Sequence, residues 1–326
     1  MIAAAGCGSI GGAGGGAANL PVSGSGPFRP LDPSDPTWSS INAPIVLHDS
    51  GTDFDSPFVL ARGDQLRVWL TSTRMQVTDI ERAEASRLEV GFGDPSPVLV
   101  ADQPWEQGAV SSPSLIPGDP IVPAGKWLLF YSAGGAIGFA TSIAGDKWVK
   151  PGGFTLTANG REEGGQLSSP AAVRIGDRVR VYYTAEGAVW AVEAPYDDVA
   201  AMRPVMWTRL DGDATSAARD PIIRAPAWAK TLTGVSARVT ETPVGRVRHD
   251  LYFTAAMASY MMKTGASGCG FASSYSGTDF ATAAAPIIPL GQATHAPSET
   301  PYRAGALLLF IEQSGARQSV AAATSP

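Results

Sequence analysis

Charge is scarce in this sequence: 24 lysines and arginines against 30 aspartates and glutamates make up only 17% of 326 residues, with a formal net charge of −6. Soluble proteins average about 25%, so a chain this poor in charge has few solvated helix faces. Lys and Arg cluster nowhere, and without a basic footprint nucleic acid is excluded as a partner. Long apolar runs are missing as well. The longest, Ala306 to Ile311, is strand-sized and well short of the ~18 to 20 residues that span a bilayer, so the folded part is expected to be soluble. The three histidines, His48, His249 and His295, have no companions at ligand spacing, which argues against a transition-metal centre. No Gly-x-Ser-x-Gly elbow marks a serine nucleophile, and the Gly8 to Gly16 stretch lacks the Lys-Ser/Thr of a phosphate loop.

What the chain has in quantity is glycine (37), proline (26) and a 44% hydrophobic content, enough for many turns and a large core. The first part is linker-like. Ala4-Ala5-Gly6-Cys7 is similar to a bacterial lipobox, in which Cys7 is lipidated and becomes the anchor; the competing reading is a chance match in an Ala/Gly-rich start. Residues 1–42 are therefore expected to be a lipoprotein-like leader remnant with a flexible Gly/Pro linker, and 43–326 the folded domain. A lipid anchor through Cys7 implies the bacterial cell envelope (outer membrane or cell surface), with secretion as the other option. Cys269 is then left without a disulfide partner and is expected to be buried and inert.

A repeat organises the rest. Asp55-Ser56-Pro57, Ser111-Ser112-Pro113 and Ser168-Ser169-Pro170 have prolines 56 and 57 residues apart, and Val235-Ser236-Ala237 and His295-Ala296-Pro297 continue the series at 67 and 60. Each precedes a second apolar strand: Leu66 to Leu70, Trp127 to Tyr131, Val179 to Tyr183, Asp250 to Phe253 and Ala306 to Phe310. A third strand follows, Ile137-Gly-Phe-Ala-Thr-Ser142 matching Cys269-Gly-Phe-Ala-Ser-Ser274, with weaker copies at Val90-Gly91-Phe92, Val189 to Glu193 and Val320 to Ser325. Fourth strands begin at Pro44, Pro97, Pro221 and Pro286, with Phe154 to Leu156 as the divergent copy. Four short strands repeated five times predict an all-β five-bladed β-propeller with four antiparallel strands per blade, its ring closed by the N-terminal strand Ala43 to Leu47. A β-sandwich is the alternative, but sandwiches carry no period of this length.

In a propeller the first strand of each blade lines the axis, so Asp55, Ser111, Ser168, Val235 and His295 are expected to converge there. A second shared register, seven residues before the motif proline, holds Trp105-Glu106 and Glu162-Glu163, with Asp53 in the loop leading into the first blade. Trp105 could give a sugar ring a flat platform, and paired carboxylates across a cleft are what glycosidic cleavage requires.

The five units, Trp127-Leu-Leu-Phe-Tyr-Ser132 followed by Ile137-Gly-Phe-Ala-Thr-Ser142, the Gly-x-x-Trp turn and Asp55 at the head of the first blade together resemble the five-bladed propellers of glycoside hydrolase family 43 and its relatives in families 32, 62, 68 and 130. The resemblance implies a base Asp in blade one, a pKa-tuning Asp in blade two and an acid Glu in blade three. Asp55 matches the first, whereas Ser111 and Ser168 occupy the other two positions. A rearranged set would use Asp55 as base, Glu163 as acid and Glu106 to raise the acid's pKa. Asp53, Trp105, Ser111, Ser168, Glu162 and His295 would then bind substrate. His295 also matches a histidine that some members place near a central cation, so Ca²⁺ in the channel is compatible, though no cofactor is required. The expected protein is a monomeric carbohydrate-binding or carbohydrate-cleaving lipoprotein; the alternative is a non-catalytic scaffold with a degenerate site.

Overall fold

Apolar and small polar residues alternate along much of the chain, and that two-residue period folds into strands. The computed structural model describes residues 29–30, 52–118, 126–153, 155–160, 162–213, 215, 218–241, 245–257, 267–287, 293–303, 305–314 and 317–325. A short β1 (Arg29–Pro30) comes first. The first sheet contains β2 (Asp53–Arg62), β3 (Gln65–Arg74), β4 (Val77–Ala85) and β5 (Ser96–Leu99). The second contains β6 (Ser111–Ile116), β7 (Trp127–Ala133) and β8 (Ala136–Ser142). In the third, β9 (Ser168–Ile175), β10 (Arg178–Ala185) and β11 (Ala188–Pro195) are followed by helix α1 (Tyr196–Ala200) and β12 (Thr208–Arg209). The fourth is β13 (Ala229–Glu241), β14 (Val247–Met257), β15 (Ser267–Ser274) and β16 (Ala281–Thr282). The fifth joins β17 (Ala293–Tyr302), β18 (Gly305–Ser314) and β19 (Arg317–Ser325) to β1. Each sheet is antiparallel with its strands in sequence order, save that β1 joins the fifth beside β19, and the chain is an all-β propeller.

Several details differ from the sequence expectation. Among the described residues four sheets are complete four-stranded blades, but the second pairs only three strands, which corrects the expectation of five equal blades. Its outer edge is held by two single bridges, Ile137 to Leu156 and Thr141 to Val149. Between them lies Lys150-Pro151-Gly152-Gly153, where a proline and two glycines interrupt a ladder. In the first unit the third strand is β4, and Val90-Gly91-Phe92 instead follows a 3-10 turn at Leu88–Val90 into Gly91 at φ 78°. Pro221-Ile222-Ile223 supplies only a bridge from Ile223 to Val189, the paired fourth strand being β12. Likewise β16 is the paired strand of the fourth sheet, while Ile287 N–H donates to the Cys269 carbonyl. The N-terminal strand at the outer edge of the fifth sheet is β1, with Arg29 opposite Thr324. Ala43 to Leu47 lies outside the described residues.

The core lies between sheets. Leu66, Val68 and Leu70 of the first pack on Leu307, Leu309 and Ile311 of the fifth, and Phe130 and Phe139 of the second on Val181 and Tyr183 of the third. Burial of such side chains supplies the main stabilisation, ~1.5 to 3 kcal/mol each. Hydroxyls stitch the first and fifth sheets directly, Val59 N–H to Ser298 Oγ at 3.1 Å and Ala61 N–H to Thr300 Oγ1 at 3.1 Å, so the ring is continuous there.

Every inner strand carries a bulge at its axial end: between Asp55 and Phe58, Ser111 and Ser114, opposite Tyr182 and Thr184 in β9, between Leu232 and Gly234, and between His295 and Ser298. In four of them the residue before the proline is left-handed, at φ 48° for Ser56, 53° for Ser112, 50° for Ser169 and 51° for Ala296. Such a backbone conformation costs a non-glycine residue about 1 kcal/mol or more, so something must hold it. In three of the four the turn aims the N–H at a hydroxyl of the preceding sheet: Ser112 N to Thr71 Oγ1 at 2.8 Å, Ser169 N to Ser132 Oγ at 2.9 Å and Ala296 N to Thr254 Oγ1 at 2.6 Å. Thr71→Val keeps the shape but strands the Ser112 N–H. It is expected to cost about 1 to 3 kcal/mol in urea unfolding; an unchanged midpoint would show that water takes over the bond.

Candidate functional site

The bulges converge on a cavity of about 30 Å³ lined by residues of all five inner strands, among them Ser56, Ser112, Ser169, Gly234, Ser236 and Ala296. Room for one or two waters is what that volume allows. The fourth unit lines it with Gly234, Val235 and Ser236, its bulge lying between Leu232 and Gly234.

Asp55 stands one residue before this ring, half-buried, and its Oδ1 accepts the Ser56 N–H at 2.6 Å. The reason lies in the fifth sheet. Thr71, Ser132 and Thr184 are the β-partners of Asp55, Ser111 and Ser168, but the partner of His295 is Ile311. Ile311 has no hydroxyl to accept the Ser56 N–H, and Asp55 takes over that role from its own strand. Ser111 Oγ reaches the Ser132 carbonyl at 3.5 Å and Ser168 Oγ meets Thr184 Oγ1 at 2.9 Å, so both hydroxyls face their own second strands.

Glu106 and Glu163 do share a register, and they share an environment too. Both are fully buried. Glu106 Oε1 accepts the Tyr131 hydroxyl at 2.7 Å, and its Oε2 accepts the N–H groups of Asp102 and Gln103 at 2.8 and 2.9 Å; Lys150 Nζ closes the set 2.8 Å from Oε1. Glu163 repeats the plan, with the Tyr183 hydroxyl at 2.6 Å, Asn159 N–H at 2.8 Å, Arg209 Nε at 3.1 Å and Arg219 ion-paired to Oε1. Burial alone would raise both carboxyls. Lys150, Gln103, Tyr131 and Asp102 outweigh it for Glu106, as Tyr183, Arg209 and Asn159 do for Glu163, and both are held below the ordinary glutamate range. Each carboxylate staples the loop leading into its inner strand, and neither lines the axial cavity.

The remaining expected residues fall around this frame. Asp53 is exposed at the start of β2. Trp105 is half-buried and stacks on Tyr131 at 6.0 Å, its Nε1–H donating to Gln103 Oε1 at 2.6 Å. Glu162 lies 3.6 Å from Arg219 Nε. His295 pairs with Ile311 in β17, but its side chain lies outside the described residues, as does Cys7. Cys269 is fully buried in β15. Among the described residues no three His, Cys, Asp or Glu are placed to hold a metal, and no helix is long and apolar enough to cross a membrane. Sequence reasoning missed the residues that fix the site, namely Tyr131, Tyr183, Lys150, Arg209 and Arg219. The tyrosines were readable, since both are fifth in the second strands Trp127 to Tyr131 and Val179 to Tyr183.

A pH dependence follows from the lowered carboxyls. Their stabilisation is present above the unfolded glutamate value of 4.5 and is lost as the pH falls from there through the lower folded values. Urea midpoints measured from pH 7 down to pH ~3 are expected to drop in that acid window, and less steeply in Glu106→Gln. Parallel curves for the two proteins would remove Glu106 from the effect.

No known protein-family profile matches the sequence, and no curated protein matches it. Solved structures do. An α-L-arabinofuranosidase from Podospora anserina, in complex with cellotriose, superposes with a TM-score of 0.66 at 9% identity, over 94% of this chain and 98% of that one. A structure described with the GH130 mannoside phosphorylases and glycoside hydrolases that target β-1,2 mannosidic linkages in Candida mannan gives 0.64 at 14%, over 93% and 95%. A glycosyl hydrolase from Bacteroides ovatus gives 0.62 at 14%, over 84% of each chain. At such identities the likeness is one of fold, and the fold that this chain shares with those proteins is the β-propeller.

Proposed function

We propose that this chain is a carbohydrate-binding propeller whose ligand is held at the mouth of the axial funnel, with the three-stranded sheet standing as the fifth blade. Asp55 contributes the carboxylate that accepts sugar hydroxyls, and Ser111, Ser168 and Asp53 border it. The observation that carries this reading is the locking of Glu106 and Glu163. A general acid must be protonated near working pH, and both glutamates have their charged forms stabilised by cations, tyrosine hydroxyls and backbone N–H groups. With serines at 111 and 168, where the resemblance implies the other two acids, binding without cleavage is the simpler outcome. The axial cavity suits water. Its described lining has hydroxyls but no carboxylate, and calcium takes six to eight oxygens, several of them from carboxylates. Attachment to the envelope through Cys7 belongs to the same reading.

Asp55→Asn isolates the functional role, because the amide oxygen still accepts the Ser56 N–H while the charge is gone. Titration calorimetry against arabino-, xylo-, fructo- and manno-configured oligosaccharides is expected to show one class bound by wild type, and about tenfold or weaker binding by the variant at unchanged melting temperature. Equal affinity in both, or no sugar bound by either, would overturn the reading. Release of reducing ends by wild type that Asp55→Asn abolishes would instead assign hydrolysis to the funnel.

A further inference from the structure

Inner strands run from the funnel to the opposite face, where the first two sheets leave a groove of about 190 Å³. Its walls are Leu60 and Arg62 at the end of β2, Gln65 and Arg67 at the start of β3, and Pro117 and Trp127 from the second sheet. The indole is held from behind. The Trp69 ring lies 6.1 Å away, and Gly145 is so close that a Cβ there would meet Trp127 ring carbons at 3.1 Å. An aromatic surface fixed in this way loses little freedom when something lies on it. Arg67 is oriented by Glu84 at 3.1 Å, and Arg62 is exposed with no ion pair to any described residue. Among the described residues no carboxylate lines the groove, although the protein as a whole is acidic.

We propose that this groove is a second carbohydrate site, on the face away from the funnel, and that it takes a uronic-acid residue of an acidic oligosaccharide. A pyranose ring presents a flat C–H face to Trp127, Leu60 and Pro117, its hydroxyls meet Gln65, and the carboxylate pairs with Arg62, whose planar fork suits it. A neutral sugar would leave Arg62 unused. Simple inorganic anions would leave the apolar walls unused. The inference does not depend on the funnel being a sugar site, since it rests on other residues and another charge.

The test is titration calorimetry of the full chain with trigalacturonate, xylotriose, inorganic phosphate and a short polyglutamate peptide. Trigalacturonate is expected to bind at least about tenfold more tightly than the other three. Arg62→Ala, a surface change in a hairpin, is expected to weaken it about tenfold or more, and Trp127→Phe to weaken it as well. Asp55→Asn is expected to leave it unchanged, which separates failure here from failure at the funnel. No binding of trigalacturonate, or binding that Arg62→Ala leaves intact, would overturn the proposal. So would phosphate or polyglutamate binding as tightly as the uronide, which would make the groove a general anion or peptide site.

Discussion

Replacing Glu163 by Gln is expected to lower the unfolding free energy by about 3 to 5 kcal/mol, the usual consequence of removing one partner from a buried ion pair. The amide keeps one acceptor oxygen for the Tyr183 hydroxyl and turns its NH₂ toward the Asn159 N–H, so the loss joins the missing charge to one backbone hydrogen bond. What it leaves behind are two guanidiniums, Arg209 and Arg219, whose side chains are 25% and 13% exposed. Arg219 also lies over the Trp190 ring at 5.0 Å and cannot swing into water without giving up that contact. The comparison is Tyr183→Phe, which removes one hydrogen bond to the same carboxylate and should cost about 1.5 to 3 kcal/mol. Guanidinium unfolding of the three proteins at pH 7 measures both. A Glu163→Gln loss no greater than that of Tyr183→Phe would mean that the arginines are solvated and that Glu163 is a hydrogen-bond acceptor only. The loop it staples leads into β9, so the variant should also loosen Ser168 and Ser169 at the axis.

How far this arrangement could be read from the sequence varies with how each residue's job is encoded. Second strands are legible, because Trp127 to Tyr131 reads as a continuous apolar run, buried after its first residue, and Val179 to Tyr183 reads the same way apart from the half-buried Arg180. The third strand of the first unit is not. Val77-Thr-Asp-Ile-Glu-Arg-Ala-Glu-Ala85 spends its outward positions on charge, so the more apolar Val90-Gly91-Phe92 drew the assignment away from it. Outer strands such as β12 and β16 make only two paired residues each, and so short a ladder leaves almost no pattern. At the site, the Ser-Pro motif falls on the bulges around the cavity that the inner strands share, since proline and a left-handed serine are what such a bulge demands. The shared register of Glu106 and Glu163 was legible, but their burial was not, because the neutralising Lys150, Arg209 and Arg219 lie 44 to 56 residues away. Asp55 shows the reverse case. Its capping role is set by the absence of a hydroxyl at Ile311, visible only once the strands are paired.

The glycine of the repeated third-strand motif carries the other large effect. Gly270→Ala is expected to cost about 1 to 3 kcal/mol, and Gly138→Ala a similar amount, the range for overpacking a filled core. In register, Gly270 lies opposite Phe253 and Gly138 opposite Tyr131. In each pair the aromatic ring folds across the strand into the space a side chain would occupy. A Cβ on Gly270 would sit 2.1 and 2.4 Å from Phe253 Cε2 and Cζ, and one on Gly138 2.6 Å from Tyr131 Cζ and 2.7 Å from Trp105. Phe253 cannot retreat, being fully buried and stacked on Trp228 at 6.2 Å with 14° between the planes. A double-mutant cycle tests the cause: Phe253→Leu vacates the contested space, so Gly270→Ala should cost at least about 1 kcal/mol less in that background. Additive losses would place the strain in the strand backbone instead. At Gly138 the same clash reaches further, because the displaced Tyr131 hydroxyl is the one that donates to Glu106. Gly138→Ala should therefore shift the acid-unfolding curve in the window where Glu106 titrates, an effect that Gly270→Ala, with no carboxylate behind its ring, should lack.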